Sequence, residues 1–474
     1  MILLIRASIT ASVICVMIKF PSEASLLKKY DVPVPRYTSY PTMPYWDTEK
    51  FTGENWIESV KKTFDETNDS KGISLYIHLP FCESLCTYCA CNTRITKNHK
   101  VEIAYIRSLL KEWEQYKKIF GRRPIIRELH LGGGTPTFFS PENLKWLLSY
   151  LLEDCNIHDK REFSFEGHPN NTTAEHLQTL FDLGFRRVSF GVQDLDEKVQ
   201  RTINRIQPFE NLQKVTMLSR AIGYESISFD LIYGLPFQTP STVINTFEKV
   251  LTLRPDRVSF YSYAHVPWLK PGQRGYEDAD LPSDVIKRLL YETGRSMLKS
   301  EGYEDVGMDH FALPSDSILR AQSQGKLRRN FMGYTTTETE LLIGLGCSAI
   351  SDAKYAYAQN VKKVEDYALS ISTGTLAIAK GHTQTDQDLH LKMCILEVAC
   401  QGKITFENLL PLQEKSIIQA LETFCSEGIL ERAQRGLQVT ESGRAFIRNI
   451  CSAFDMRHYS NSKTGVNNLF SKAI

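Results

Sequence analysis

The sequence lacks an excess of charge of either sign. It has 56 Lys and Arg residues against 55 Asp and Glu residues, for a formal net charge of +1. Such a balance produces no strong field for nucleic acid or an acidic membrane surface. Internal repeats and low-complexity tracts are also absent. With 474 residues, 42% hydrophobic and 23% charged, the composition is that of a soluble globular protein of two or three domains.

Long hydrophobic runs are nearly absent, and the one candidate is residues 1–18. Arg6 interrupts this run, and no charged residue precedes Arg6. The run is not followed by a small-residue cleavage site, as a signal peptide would be. The run is also marginal in length for a membrane span. We favour the interpretation that Met17 is the true start and that residues 1–16 were wrongly assigned to the protein. The alternative is that these residues form a membrane anchor.

The cysteines do not follow the pattern of a disulfide framework. Four of the eleven lie between Tyr76 and Cys91, and the others are scattered. Secreted disulfide-rich domains are short and space their cysteines along the whole chain. The distribution therefore predicts a cytoplasmic protein, because a reducing compartment keeps clustered thiols free.

Three of the clustered cysteines have the spacing C-x3-C-x2-C. A period-2 apolar pattern over residues 73–79 predicts a strand, and Cys82, Cys86 and Cys89 lie on the loop that leaves it. Three thiolates on one short loop can converge on a soft metal centre. A [4Fe–4S] cube held by three cysteines leaves one iron open to a small molecule.

Two other interpretations of the cysteine loop stay open at this point. The three residues could be buried structural cysteines. They could also bind zinc, with Cys91 or His99 as the fourth ligand, although structural zinc sites usually take two pairs that are far apart in sequence.

A strand followed by C-x3-C-x2-C resembles the radical S-adenosylmethionine (SAM) superfamily. The additional Cys91, which gives C-x3-C-x2-C-x-C, resembles one branch, the oxygen-independent coproporphyrinogen III oxidases. The resemblance covers nearly all of the chain from Met17 to about Asp455. It implies that Cys82, Cys86 and Cys89 hold the cluster and that Cys91 lies close to it without being a ligand.

Apolar periodicity predicts strands that alternate with helices after the cysteine loop. Six such units imply parallel strands with right-handed crossovers, in a barrel or an open doubly wound sheet. The resemblance selects an α/β fold, the partial (β/α)6 barrel of radical SAM enzymes. Predicted strands cover residues 73–79, 125–131, 162–166, 187–192, 226–232 and 257–263, and predicted helices cover residues 101–118, the stretch after Pro141, and residues 174–183, 211–222, 241–253 and 283–300.

Two further regions flank the predicted barrel at residues 73–380. An N-terminal arm, residues 17–72, is rich in proline and contains Pro-Arg-Tyr-Thr-Ser-Tyr-Pro-Thr at residues 35–42; such a stretch is usually a surface loop, but Arg36 is a candidate partner for a substrate carboxylate. A mainly helical C-terminal domain, residues 381–474, resembles a winged helix. The missing basic excess argues against DNA binding there and favours a structural cap over the barrel mouth.

Active sites of such folds lie at the carboxyl ends of the strands, and here those ends carry unusual residues. The Gly-Gly-Gly-Thr-Pro-Thr turn could be a tight turn or a ligand contact. Glu166 and Asp230 could cap helices, and Gln193 and Arg205 could be surface residues. The resemblance implies two SAM molecules: Tyr76, Gly133, Glu166, Ala264 and Ile350 would contact the one on the cluster, and Tyr88, Gly134, Thr135, Gln193, Arg205 and Asp230 would contact the second.

Two positions depart from the family's pattern. The family commonly has a carboxylate two residues after Glu166, where this chain has His168, and an amide where this chain has Met332. Both departures affect expected contacts with SAM or substrate. Neither removes a cluster ligand.

The resemblance implies oxidative decarboxylation of two propionates of coproporphyrinogen III to the vinyl groups of protoporphyrinogen IX, through a 5′-deoxyadenosyl radical from SAM. An electron donor and an electron acceptor of unknown identity are also implied. We expect a monomer that binds neither nucleic acid nor a membrane. The alternatives are a haem chaperone of the neighbouring branch, against which Cys91 and the long arm argue, and another tetrapyrrole-modifying radical SAM enzyme.

Overall fold

The computed structural model describes residues 25–412, 414–462, 470 and 472. The possible extension at residues 1–16 lies outside this range. Each predicted strand and helix overlaps an observed one. The strands are β1 Ile73–Leu79, β2 Ile125–Gly133, β3 Asn156–Gly167, β4 Arg187–Gln193, β5 Ser226–Tyr233, β6 Arg257–Ser262, β7 Glu304–Gly307, β8 His310–Ala312, β9 Arg328–Asn330, β10 Gly333–Thr335, β11 Leu341–Leu345, β12 Ile350–Ala353, β13 Ala356–Asn360, β14 Ile378–Thr383, β15 Lys403–Thr405, β16 Leu430–Ala433 and β17 Gly436–Val439.

The helices lie between and after these strands. They are α1 Gly53–Lys71, α2 Val101–Phe120, α3 Pro141–Glu153, α4 Ala174–Asp182, α5 Glu197–Thr202, α6 Phe209–Ile222, α7 Pro240–Thr252, α8 Asp284–Ser300, α9 Ser317–Ser323, α10 Val364–Ser372, α11 Asp386–Gln401, α12 Phe406–Leu409, α13 Lys415–Ser426, α14 Ile447–Ser452 and α15 Met456–Ser462.

One sheet of twelve strands forms the centre of the molecule, in the order β14-β13-β12-β11-β1-β2-β3-β4-β5-β6-β8-β7. Strands β1 to β6 are parallel neighbours, which confirms the predicted (β/α)6 unit. Strand β11 also pairs in parallel with β1, and antiparallel strands extend both edges. All carboxyl ends of the parallel strands therefore meet at one edge.

Apolar side chains on one face of each helix pack against this sheet. In α2 the buried residues include Ile106, Leu109 and Trp113, which recur at helical spacing. They join one continuous core with the buried strand residues, such as Leu75 and Ile77. This core fixes the strand ends, and the loops that follow them can carry the site.

The arm differs from a surface loop laid over the barrel. Helix α1 begins with a capping box of Thr52 and Asn55 and buries Trp56, Val60 and Phe64. Upstream of it, Tyr37 and Tyr40 are almost completely buried in a second core shared with the C-terminal region; this core includes Ile395 and Phe454. The arm is therefore an integral layer, because its aromatic side chains fill the space between barrel and C-terminal helices.

The C-terminal region combines helices with a three-stranded antiparallel sheet of order β15-β17-β16. Ile417, Leu421 and Phe424 are the buried residues of α13, and β16 and β17 form an antiparallel hairpin. Thr440 accepts a hydrogen bond from the Gly443 amide at 2.9 Å and so starts a short 3-10 turn. Among the helices in the described part of the chain, none has the length and apolar character needed to span a bilayer. The domain boundaries themselves stay predictions.

Asp388, in the first turn of α11, connects this helix to α15 near the end of the described chain. Its carboxylate accepts hydrogen bonds from Arg457 at 2.9 Å and from the Thr385 hydroxyl at 2.9 Å, and lies 3.2 Å from His382 Nε2. Burial acts to raise the pKa of Asp388, but the bonds from His382 and Thr385 and the Arg457 charge outweigh it. They hold that pKa well below its usual range.

Asp388→Asn is therefore expected to destabilise the protein at pH 7 by about 1.5–3 kcal/mol, the range for hydrogen bonds to charged groups. A depressed folded-state pKa stabilises above the unfolded value of about 4, and this stabilisation is lost as the pH falls. Thermal midpoints measured at pH 7 and at about pH 3 test both points. Asp386→Asn, an exposed acid in the same first helical turn, is the control. Equal shifts for the two variants would contradict the role of Asp388.

Candidate active site

A cleft of about 450 Å³ opens at the carboxyl ends of the parallel strands. Its walls come from the loop after β1 and from the ends of β2 to β6. This position agrees with the rule for sites of such folds. The cleft brings together eleven of the residues that the sequence singles out: Cys82, Cys86, Tyr88, Cys89, Gly133, Gly134, Thr135, Glu166, Gln193, Arg205 and Asp230.

Backbone hydrogen bonds hold the cysteine loop on both sides. Residues 81–82 pair in parallel with residues 94–95, and the Thr96 amide donates to the Cys82 carbonyl at 2.9 Å. On the other side, the Thr87 amide donates to the Ile203 carbonyl at 3.0 Å, and Asn204 Nδ2 donates to the Leu85 carbonyl at 2.7 Å. The loop is anchored at both flanks and leaves its thiols facing the cleft.

Each thiol of the loop has its own polar neighbour. Cys82 Sγ lies 3.3 Å from Thr135 Oγ1, and Arg205 Nη1 donates to Cys86 Sγ at 3.6 Å. A hydrogen bond with Cys91 lowers the pKa of Cys89 to about 6, whereas burial raises the pKa of Cys82 to about 11. Arg205 places a permanent positive charge beside the thiols, which favours thiolate ligands.

The C-x3-C-x2-C loop supplies three thiols to one cleft, which is the number of protein ligands that a [4Fe–4S] cube with one open iron takes. Within the described residues, no three His, Cys, Asp or Glu side chains surround one point as ligands of a mononuclear metal would. A zinc ion needs four ligand atoms at about 2.0–2.3 Å from one point. A [4Fe–4S] cube spreads its three cysteines because each thiolate binds a different iron.

Close approach of backbone explains the glycine turn after β2. A Cβ on Gly134 would lie 2.7 Å from the Pro80 carbonyl carbon and oxygen, and one on Gly133, at φ +113°, would lie 2.7 Å from the His78 ring. The Gly134 amide donates to the Leu79 carbonyl at 2.8 Å. The turn is therefore tied directly to the start of the cysteine loop.

Glu166 and Asp230 are the two carboxylates that strand ends bring to the cleft, and neither caps a helix. The caps of the following helices are Thr173 and Thr239. Glu166 accepts a hydrogen bond from the Gly133 amide at 3.3 Å and lies 3.5 Å from His130. Burial acts to raise the pKa of Glu166, but His130 and the amide outweigh it and keep that pKa below its usual value.

Asp230 occupies a less polar position than Glu166. It accepts a hydrogen bond from Ser189 at 2.8 Å, and burial raises its pKa to about 6. The two strand-end carboxylates of the cleft thus differ, because the pKa of Glu166 is lowered and that of Asp230 is raised. An ammonium group would pair best with Glu166, because that carboxylate keeps its charge.

Arg205 and Gln193 are part of the cleft wall rather than surface residues. Arg205 Nη2 donates to the Gly191 carbonyl at 2.6 Å, while its buried Nε has no partner among the described residues. Gln193 has a φ of +66°, a strained value for a residue with a side chain. Gln193 lines the cleft at the end of β4.

His168 and Met332, the two departures, also lie in this region. Burial and the Arg205 charge lower the pKa of His168 to about 3, so a neutral ring lines the cleft where the family has a carboxylate. Met332 sits at the tip of the β9–β10 hairpin, with its amide bonded to Asn330 Oδ1 at 2.9 Å. It lines a smaller cavity of about 160 Å³ inside the barrel.

Three predicted residues lie outside the cleft lining. Tyr76 stacks on His130 at a centroid distance of 6.0 Å and pairs with Gly344 of β11. Ile350 begins β12, and its carbonyl approaches Gly344 closely. Ala264 follows β6, where its carbonyl accepts a hydrogen bond from Gln273 at 3.2 Å.

Sequence reasoning missed two residues of the site, His130 and Tyr261. Both line the inner cavity, which meets the cleft at Glu166, Ser189, Asp230 and Tyr261. His130 lies on the same face of β2 as Glu128 and two residues before the glycine turn. That alternation of polar residues within a buried strand was the available signal.

The family model of the radical SAM superfamily matches residues 76–250, the segment that builds the cysteine loop and most of the cleft. Among curated proteins, the oxygen-independent coproporphyrinogen III oxidase of Pseudomonas aeruginosa is 38% identical over 442 residues, 91% of this chain and 95% of the relative. The protein of that name from Synechocystis is 34% identical over 467 residues, 95% of this chain and 98% of the relative.

A solved structure also resembles the whole molecule. The coproporphyrinogen III oxidase of Escherichia coli, described as a radical SAM enzyme, superposes with a TM-score of 0.83 at 35% sequence identity. The match covers 89% of this chain and 97% of that protein. The likeness therefore extends over arm, barrel and C-terminal region.

Proposed function

The chain belongs to the oxygen-independent coproporphyrinogen III oxidases of the radical SAM superfamily, and from this premise we propose how its residues serve that reaction. The substrate is coproporphyrinogen III, and the product is protoporphyrinogen IX. The observation that carries the proposal is the C-x3-C-x2-C loop, which sits in one cleft with the glycine turn and the carboxylates of the neighbouring strands.

Cys82, Cys86 and Cys89 would hold the [4Fe–4S] cluster. The paired flanks of the loop fix the three thiols before any cluster is bound. Arg205 would stabilise the negative charge of the ligated sulfurs, since it already donates to Cys86. Cys91 would stay outside the ligand set, although it lines the same cleft beside Cys89.

Two SAM molecules would occupy the remaining cleft. Glu166 would receive the ammonium group of the first, because His130 and the Gly133 amide keep that carboxylate ionised. Asp230, Gln193 and Arg205 would position the second through hydrogen bonds. The orphaned Nε of Arg205 fits an acceptor that a bound ligand brings.

When bound, the cluster and SAM supply a 5′-deoxyadenosyl radical that removes one hydrogen from the β-carbon of a propionate. The substrate then loses carbon dioxide and one electron, which leaves a vinyl group. Each vinyl group therefore needs one electron delivered for SAM cleavage and one electron accepted from the substrate. The residues of the cleft would bind and orient SAM and the substrate, and they would exclude water from both.

The proposal also includes an electron donor and an electron acceptor, whose identities are unknown, and it extends to the compartment and the assembly state. We propose a cytoplasmic enzyme, since its clustered free cysteines call for a reducing compartment. We also propose a monomer that needs neither nucleic acid nor a membrane, consistent with the even balance of charge.

An anaerobic assay of the reconstituted protein with SAM, a reductant and coproporphyrinogen III tests the proposed function. Protoporphyrinogen and 5′-deoxyadenosine are both expected, at one deoxyadenosine or more for each decarboxylation. Deoxyadenosine without protoporphyrinogen would mean that the radical chemistry is right and the substrate wrong. Neither product, together with a [4Fe–4S] spectrum and haem binding, would favour a haem chaperone instead.

A further inference from the structure

Arg329 is a buried cation that forms no ion pair with any residue that the structure describes. It lies on β9 with only 8% of its surface exposed. Its Nε and Nη1 atoms are fully buried and have no hydrogen-bond partner within the described part of the chain. Burying a charged group without a hydrogen-bond partner is costly. A missing acceptor is the simplest reason for such an arrangement.

The immediate neighbours of Arg329 line the inner cavity that adjoins the cleft. Its guanidinium lies over the ring of Tyr334, its partner across the hairpin, at 4.7 Å. Tyr334 contacts His310 edge-on at a centroid distance of 5.1 Å. Tyr334, His310 and Tyr261 all line the cavity. The rings that surround this cation therefore form part of the cavity wall.

A second cation reaches the same rings from the arm. The Arg36 guanidinium lies 5.6 Å from the centre of the Tyr261 ring and bonds Asp309 at 3.1 Å. The Tyr261 hydroxyl lies 3.2 Å from His310 Nε2. Burial and then the charges of Arg329 and Arg36 lower the pKa of His310 to about 3, so this ring is neutral. Asp309 balances Arg36, and no described carboxylate pairs with Arg329.

We propose that the Arg329 guanidinium binds a propionate carboxylate of the tetrapyrrole substrate, on the side of the cleft formed by the β9–β10 hairpin, Tyr261 and the arm. This proposal rests on the proposed function. The planar fork of an arginine matches a carboxylate in two parallel hydrogen bonds. The stacking on Tyr334 holds that fork in a fixed plane, and burial strengthens the pairing.

The substrate chemistry explains why a site of this kind is needed. Coproporphyrinogen III carries four propionates, and the reaction converts only two of them. The enzyme must hold the macrocycle by groups that do not react, and the retained carboxylates are its most distinctive ones. A single buried arginine near the cleft therefore helps to position the substrate, because it fixes one edge of the tetrapyrrole macrocycle.

Fluorescence titration with coproporphyrin III and with its tetramethyl ester tests the proposal on the reconstituted protein. Wild type should bind the acid more tightly than the ester. Arg329→Gln should weaken binding of the acid by about tenfold to a hundredfold, the value of a hydrogen bond to a charged group, and leave the ester unchanged. Arg328→Gln is the matched control, since Arg328 is exposed on the same strand.

Turnover separates this inference from the proposed function. Arg329→Gln should raise KM for coproporphyrinogen III with a smaller change in kcat and with wild-type iron content. If wild type converts the substrate but Arg329→Gln keeps the wild-type KM and the preference for the acid, the proposed role of Arg329 is wrong. Wild type that neither binds coproporphyrin nor converts coproporphyrinogen would overturn the proposed function. Should Arg329→Gln fail to fold, Arg329→Lys keeps the charge, and its loss of two-point pairing should still weaken the acid alone.

Discussion

Cys86→Ser is expected to reduce bound iron to background and to abolish both protoporphyrinogen and 5′-deoxyadenosine formation. A serine hydroxyl does not provide the thiolate that an iron–sulfur cluster requires, and two cysteines do not hold a cube that also keeps one iron open. The reaction depends entirely on the radical that the cofactor supplies, so no residual turnover is expected. Cys82→Ser and Cys89→Ser should give the same result, because each thiolate binds a different iron.

Two cysteine variants provide the controls for this result. Cys91→Ser should keep the iron, acid-labile sulfide and visible absorbance of wild type, since we propose that Cys91 lies next to the ligand set and not in it. Cys425→Ser, on α13 of the C-terminal region, should keep both iron and activity. If Cys91→Ser lost its iron while one of the three other variants retained it, the ligand set would have to be revised.

The parallel sheet could be predicted from local pattern because each βαβ unit is built from neighbouring segments. Period-2 runs end at glycine and polar residues, and helical stripes follow them, so most predicted boundaries lie within a few residues of the observed ones. Strand β3 is an exception, since it begins at Asn156 and not near residue 162. The addition of β11 could not be predicted in this way. Its partner β1 lies more than 250 residues away along the chain, and five buried residues do not specify a distant neighbour.

The burial of the arm illustrates a second limit. The prolines between Pro33 and Pro44 suggested irregular structure, and the backbone there is indeed mostly irregular. What the sequence did not reveal is that Tyr37 and Tyr40 are core residues. Their burial depends on the C-terminal helices, which supply the opposite wall. Helix α1, by contrast, could have been predicted from its capping residues Thr52 and Asn55. The prolines upstream favoured irregular structure for the whole arm instead.

The candidate site divides along the same line. Residues at strand ends could be chosen from sequence because parallel strands bring their carboxyl ends together. The pairing of His130 with Glu166 and the unpaired charge of Arg329 could not, because each depends on which side chains face each other across separate strands or loops. Sequence patterns identify which residues reach the cleft, whereas the three-dimensional structure identifies which charges are balanced there.

Gly134→Ala is expected to disrupt the cysteine loop although it removes no ligand. The new methyl group would lie 2.7 Å from the Pro80 carbonyl group and 2.9 Å from the Phe81 carbonyl oxygen. These are backbone atoms at the root of the loop, so they cannot rotate away as a side chain could. The hydrogen bonds from the Gly134 amide to Leu79 and from the Thr135 amide to Phe81, at 2.8 and 3.0 Å, would have to lengthen.

We expect Gly134→Ala to lose activity by about a hundredfold or more, since a displacement of about 1 Å at a reacting centre has that effect. Iron incorporation should fall as well, because Cys82 lies only one residue after Phe81. Gly275→Ala is the matched control: Gly275 also lies beside the cysteine loop, but a methyl group there meets only Thr87 Cγ2 at 3.9 Å. Iron content, SAM cleavage and thermal midpoint should be measured for both. Wild-type iron and turnover in Gly134→Ala would show that the glycine turn and the cysteine loop are not coupled, whereas a loss in both variants would point to general instability of the cleft rim.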